Sequence, residues 1–243
     1  MSLLGTTGDA DGTNDTDVEL TAAVPIIVAT LARTRLGLDP VVPDHELGHA
    51  ANFLYMLSGE SPQPEDARLL DKVLVLHAEH GLNASTLAAR VVASTGAGLY
   101  SSITAALATL SGPKHGGATE NAIRQILEIG SPDNAQQTVE KIVKDGGRVP
   151  GFGHPVYKTI DPRVSLLRDD ARKLADRTGQ TGLTETIEAT SVAVASRVNH
   201  KVSENIDLWS GAINHMLGIP HDLYSAIFAI GRMPGWIRHV HGQ

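Results

Sequence analysis

No stretch of this sequence alternates apolar with polar residues for long enough to make a half-buried strand, whereas apolar residues recur at three- and four-residue intervals along most of it. That pattern restricts the chain to an all-α fold. Helices are predicted over 20–36, 44–59, 64–80, 99–112, 118–130, 134–145, 161–179, 183–199, 208–218 and 222–240. Their ends carry the expected signals. Asp44 reads as the N-cap of the second and Gly59 as its stop; Asp161, Pro162 and Gly179 bracket the seventh. Pro25 is placed in the first turns of the first helix, and residues 1–18, rich in Gly, Thr, Asp and Asn, read as a tail. No internal repeat is present.

With two Trp, four Tyr and three Phe, the core must be mostly aliphatic. The absence of cysteine removes disulfides, thiolate nucleophiles and sulfur-based zinc sites. A formal charge of −7 argues against a general nucleic-acid binder. No apolar run has the length of a membrane span and no signal peptide opens the sequence, so a cytoplasmic protein is expected.

One stretch fits neither periodicity. "GFGHPVYKTIDPR", Gly151 to Arg163, places a histidine before a proline, between glycines and two cations, Lys158 and Arg163. Glycine lets backbone approach a ligand closely, and His154 is biased toward an extended conformation by Pro155. The loop is built to present an imidazole and positive charge to an anion. Arg163 reads equally as a solvated helix residue. His115, in "GPKHGGA", is placed near a helix N-terminus, where the dipole disfavours imidazolium; a neutral ring there can donate to an oxyanion, or be a plain loop residue. Asp207, in "ENIDLWSG", is either an N-cap or a general base with Leu208 and Trp209 as apolar surround. His80 shares a face with Leu69, Val73 and Leu76, as a core histidine or a functional one. Arg232 precedes a Met-Pro-Gly turn, and its counterpart is a ligand carboxylate or a helix C-terminal carbonyl.

"HELGH", His45 to His49, matches the zinc-hydrolase string, with both histidines on one helix face and Glu46 as base. It lacks a marked third ligand, and no metal site is expected.

Taken together, "LHAEHGLNAST", "GPKHGGA", "GFGHPVYKTIDPR", "NIDLWSG" and "GRMPGW", in this order, resemble the citrate synthase family, from about Leu20 onward. "LGHAANFLYMLSGE" also looks like a helix of that family, which accounts for "HELGH" without zinc. "HAEHGLN" departs from the family pattern at Glu79 and Gly81, on either side of His80. The resemblance implies an acyltransferase that condenses acetyl-CoA with oxaloacetate to give citrate and CoA. It implies roles for residues one at a time. His115 stabilises the enol of acetyl-CoA, Asp207 removes the methyl proton, and His154 bonds the oxaloacetate carbonyl. His80, Arg163 and Arg232 hold oxaloacetate, and Gly151, Phe152, Gly153 and Lys158 contact coenzyme A. No cofactor is implied beyond the CoA thioester, which is a substrate.

The resemblance further implies a large helical domain over 1–115 and 214–243, a small helical domain over 116–213, and an active site in the cleft between them. Family members are longer at both ends. The N-terminal part of the large domain is expected to be missing here, together with a C-terminal arginine that enters the partner's site. A homodimer through helices in 66–111, or a complementing partner chain, is implied. Two other readings are a 2-methylcitrate synthase using propionyl-CoA and an inactive paralogue acting as a binding subunit.

Overall fold

The computed structural model describes residues 14–154, 156–157, 159–197 and 202–243. They form an all-α protein: α1 Asn14–Arg35, α2 His49–Ser58, α3 Pro64–His77, α4 Ala84–Ala93, α5 Leu99–Leu110, α6 Ala118–Ile129, α7 Pro132–Lys144, α8 Val164–Thr178, α9 Thr181–Arg197, α10 Ile206–Met216 and α11 Tyr224–His241. Among the described residues the only strand-like pairing is one antiparallel bridge, Phe152 with Glu204. No helix of the described residues is long and apolar enough to cross a membrane. Backbone packing divides them into two compact units, one from Met1–Gly116 and Ser225–Gln243, the other Gly117–Tyr224.

In the first unit α1 packs on α2, α2 on α3, and α4 on α5. Helix α1 starts earlier than expected, which puts Pro25 in its interior; residues 1–13 of the expected tail lie outside the described residues. Helix α2 starts at His49, not Asp44, with Gly48 in the cap position. Asp44 closes a tight turn instead, its Oδ1 accepting from Glu46 N at 2.9 Å. His45 and His49 therefore share no helix face, and the zinc-hydrolase geometry is not formed.

Helix α3 ends at His77, so His80 does not lie on its apolar face. The buried face is Leu69, Leu70, Val73, Leu74 and His77. Gly81, at φ +62°, turns the chain, and Glu79 Oε1 accepts from its N–H at 2.5 Å. Helix α4 was not legible by periodicity, because its large apolar residues face outward. Leu87 and Val91 are 52% and 57% exposed, while Ser85, Thr86 and Ala89 are buried. Its N-cap is conventional: Asn83 accepts from Thr86 N.

Helix α11 runs straight through the expected Met-Pro-Gly turn. Pro234 is on the exposed side, while Met233, Trp236 and Ile237 are buried on either side of it, so tertiary burial overrides the proline. Gly231 allows this packing: a Cβ there would lie 2.8 Å from the Leu74 carbonyl oxygen of α3.

In the second unit α10 packs on α6 and α8, and α7 on α9. Val139, Val149, Ala193 and Val194 form a small core with Ile142, Val143, Phe152 and Val202 around it. Helix α8 begins at Val164 with Arg163 in the cap position, so Asp161 and Pro162 form a turn ahead of it rather than its cap and first residue. Helix α10 spans the point, residue 214, where return to the large domain was expected.

Candidate active site

The candidate residues are divided between the two units. In the first, His115 sits in the turn after α5, its N–H donating to Gly112 O at 2.9 Å. What the structure supplies for its ring is Ser85, fully buried at the start of α4. Ser85 Oγ lies 2.8 Å from His115 Nε2 and 2.8 Å from Asn83 Oδ1, and accepts from Trp236 Nε1 at 3.2 Å. The hydroxyl has one hydrogen for two acceptors. Directed at Asn83, it leaves His115 donating through Nε2. Directed at His115, it places the ring proton on Nδ1.

Arg232, 2% exposed, donates through Nε to His77 O, the last carbonyl of α3, at 2.5 Å. Of the two counterparts open in sequence, the structure thus supplies the helix C-terminal carbonyl. The guanidinium lies 4.6 Å from the Phe228 ring centre, and the His77 and His115 rings meet the same phenyl edge-on at 5.2 and 6.0 Å. Phe228 is thus shared by His115 and Arg232. His80 stands half-buried in the α3–α4 loop, three residues beyond the acceptor of Arg232.

In the second unit His154 is oriented by backbone. Its Nδ1 accepts from Val156 N at 3.0 Å and Tyr157 N at 3.1 Å, so in the neutral ring the proton is on Nε2. The Tyr157 ring lies 4.7 Å away. Asp161 is buried to 1% exposure and organises the rest of this loop. Its Oδ1 accepts from Arg163 N at 3.1 Å and Nε at 2.9 Å; its Oδ2 accepts from Arg163 Nη2 at 2.8 Å and Ile206 N at 3.1 Å. Burial pushes this carboxyl up, but the hydrogen bonds and charge of Arg163, with the backbone bonds from Arg163 and Ile206, hold it below the usual range. Arg163 is therefore not a solvated helix residue: two of its three guanidinium nitrogens are engaged by Asp161, and it also lies over Tyr157 at 5.7 Å.

Asp207 is not the N-cap of α10. Asn205 is, with its side chain accepting from Asp207 N at 3.1 Å. Asp207 Oδ1 accepts from the buried Thr119 hydroxyl of α6 at 2.7 Å. Leu208 and Trp209 are fully buried, yet they do not form its surround, because neighbours one and two positions along a helix face other directions. Gly151 and Gly153 both take positive φ, +84° and +80°. A Cβ on Gly151 would lie 2.9 Å from Leu208 Cδ1, so only glycine fits that approach. Phe152 and Gly153 line an apolar cavity of about 280 Å³ with Val143, Val149, Val194 and Val202, and among the described residues Arg148 is the only charged one lining it. Lys158 and Pro155 lie outside the described residues.

The chain matches the family model "Citrate synthase, C-terminal domain" over residues 2–243. It belongs to the citrate synthase family. Citrate synthase 2 of Bacillus subtilis is 42% identical over 224 residues, 92% of this chain and 59% of that protein. 2-Methylcitrate synthase 1 of Corynebacterium glutamicum is 36% identical over 251 residues, covering 99% and 65%. The solved citrate synthase of Thermoplasma acidophilum, in ternary complex with carboxymethyl coenzyme A and oxaloacetate, is 30% identical with a TM-score of 0.90, covering 98% and 65%. The chain spans about three fifths of the length of the curated relatives it matches.

Ser85, Thr119, Phe228 and Glu204 escaped the sequence reading. Each acts through a partner 88 or more positions away or through several helices at once, and no local spacing marks it. Asn83 was the exception: an Asn ahead of Ser and Thr is an N-cap signal that the sequence does print.

Proposed function

We propose that this chain carries the condensing chemistry of a citrate synthase: acetyl-CoA and oxaloacetate react to give citrate and CoA. The observation that carries the reading is the short backbone pairing inside the second unit. Gly153 N donates to Ser203 O at 2.8 Å and Asn205 N to Gly151 O at 2.9 Å. It fastens the loop ending in His154 to the segment entering α10 at Asp207, so a fixed-tautomer donor and a carboxylate base belong to one rigid element.

The Asp207 carboxylate removes a methyl proton of the acetyl thioester while His115 donates to the thioester oxygen through Nδ1–H, a tautomer that requires the Ser85 hydroxyl to be directed at Nε2 rather than at Asn83. The resulting enol carbon attacks the ketone carbon of oxaloacetate. His154 Nε2–H supplies the proton taken by the forming alkoxide. Water then cleaves the thioester of citryl-CoA, releasing citrate and the CoA thiol. Arg163, Arg232 and His80 hold the oxaloacetate carboxylates. Gly151, Phe152, Gly153 and Lys158 contact coenzyme A, a reading supported by the apolar cavity beneath Phe152. The chemistry calls for no metal or redox cofactor. Pairing of two copies through α4, where Leu87 and Val91 share an exposed face, and a cytoplasmic setting complete the reading.

A second acyl donor, propionyl-CoA, is favoured by the similarity to 2-methylcitrate synthase 1. One methylene changes preference by about 1–3 kcal/mol, so both donors belong in the same assay. Thiol release is measured with oxaloacetate and either thioester. Turnover that Asp207→Asn nearly abolishes, with oxaloacetate binding retained by calorimetry, is the expected result. Condensation by Asp207→Asn at the parent rate would remove the assigned base. Oxaloacetate binding by the parent protein with no thiol release from either donor would instead favour a binding subunit.

A further inference from the structure

Beyond the residues assigned to the reaction, one buried carboxylate holds the backbone pairing just described. Glu204 is 9% exposed and forms the bridge with Phe152. Its side chain ties three helices together. Oε2 accepts from Arg168 Nη2 of α8 at 2.6 Å and from Trp209 Nε1 of α10 at 2.7 Å; Oε1 accepts from Ser191 Oγ of α9 at 2.5 Å. The Arg168 guanidinium also lies 5.6 Å from the Trp209 ring. A buried charge with a cation and two neutral donors is satisfied and rigid; with its partners removed it is not tolerated.

The position of this anchor matters more than its strength. One residue ahead of it, Ser203 O receives Gly153 N; one residue after it, Asn205 N reaches Gly151 O, and Asn205 Nδ2 donates to Gly153 O at 2.8 Å. His154 follows Gly153 directly, and Asp207 is three residues past Glu204. We propose that Glu204 is a positioning residue: through Arg168, Ser191 and Trp209 it fixes the Ser203–Asn205 segment, and through that segment the register of His154 against Asp207. It touches no substrate. The register is needed for the condensation proposed above, so its effect on turnover rests on that reading, while its effect on the loop does not.

Two readouts separate these. The first is amide hydrogen exchange on the full chain. Glu204→Ala is expected to speed exchange at Gly153 and Asn205 by about tenfold or more relative to amides in the middle of α8. Glu204→Gln keeps one oxygen acceptor, enough for Trp209 Nε1, and turns an NH2 toward Ser191 Oγ, which can accept it while donating to Ile187 O; with the charge facing Arg168 lost, this variant is expected to fall between parent and alanine. The second is steady-state kinetics. A misplacement of about 1 Å lowers turnover by about a hundredfold, so kcat is expected to fall by up to that factor in Glu204→Ala. KM for oxaloacetate is expected to change much less, and Glu204→Gln to recover part of the loss. If Glu204→Ala does not fold, Glu204→Gln and Arg168→Gln carry the same test. Unchanged exchange at Gly153 and Asn205 in these variants would overturn the proposal. Changed exchange with an unchanged kcat would overturn its link to turnover. A parent protein that shows no thiol release would count against the condensation reading alone, since the exchange result still decides the anchoring.

Discussion

The two units hold their chemical groups by different means. In the first, the anchors are neutral: a serine hydroxyl shared by His115 and Trp236, a backbone carbonyl receiving Arg232, and the face of Phe228. In the second, the anchors are buried carboxylates: Asp161 for Arg163 and the entry to α10, Glu204 for the loop below His154. The reason lies in what is being held. Arg232 stands inside α11, whose backbone is already satisfied, and His115 in a turn closed by its own N–H to Gly112 O, so one extra bond orients each. His154 and Arg163 stand on irregular backbone with glycines at positive φ, where exposed N–H groups need strong acceptors. The first unit should therefore be governed by packing, the second by charge.

The largest expected effect tests the charged half. Asp161→Ala leaves the partly buried Arg163 without its counter-ion and should lower stability by about 3–5 kcal/mol, measured by urea denaturation. Ser85→Ala, the neutral counterpart, should cost about 1–3 kcal/mol. Equal losses would erase the contrast.

Packing gives the next effect, and it is felt in both units. Gly231→Ala puts a methyl against the Leu74 carbonyl of α3, which cannot yield, and should cost about 1–3 kcal/mol. At Gly211 a Cβ meets Ile123 Cγ1 at 2.6 Å and the Thr119 carbonyl oxygen at 3.2 Å, and Ile123 is β-branched and fully buried, with little room to turn. Gly211→Ala should thus cost at least as much as Gly231→Ala in thermal melts; a clearly milder loss would show that Ile123 finds room.

Smaller still is Thr119→Val. It removes the hydroxyl on Asp207 at nearly constant volume and should cost about 1 kcal/mol, with kcat falling and oxaloacetate affinity nearly unchanged. A parent-like kcat would show that Asp207 is oriented by its helix alone.

The smallest effect is on pH dependence. Burial lowers the pKa of His49 in the first unit against an opposing pull from Asp71; burial and then His221 lower that of His215 in the second. Below about pH 6.5 the unfolded chain takes up protons that these rings refuse when folded. Their contribution is complete above that pH and is lost as pH falls through the depressed values. Asp161 follows at lower pH, since its stabilisation is complete above about 3.9 and is lost as pH falls through its lowered pKa. His215→Gln should flatten the near-neutral part of a stability profile; an unaltered profile would remove His215 from this account.

The helical class, most helix positions and the candidate histidines, arginines and aspartate were legible because they are written locally. Apolar spacing marks a helix, and glycine beside His-Pro marks a presenting loop. Where periodicity misled, an identifiable competitor won. The chain left α3 at His77, ahead of the turn at Gly81, outward-facing Leu87 and Val91 disguised α4, and burial of Met233 and Trp236 carried α11 through Pro234. Which proton His154 carries, which carboxylate holds Arg163 and which residue caps α10 belong to tertiary structure. Each depends on where a backbone N–H or a side chain from another element comes to rest. A hydrogen bond is decided within a few tenths of an ångström, and no spacing along the chain specifies distance at that scale.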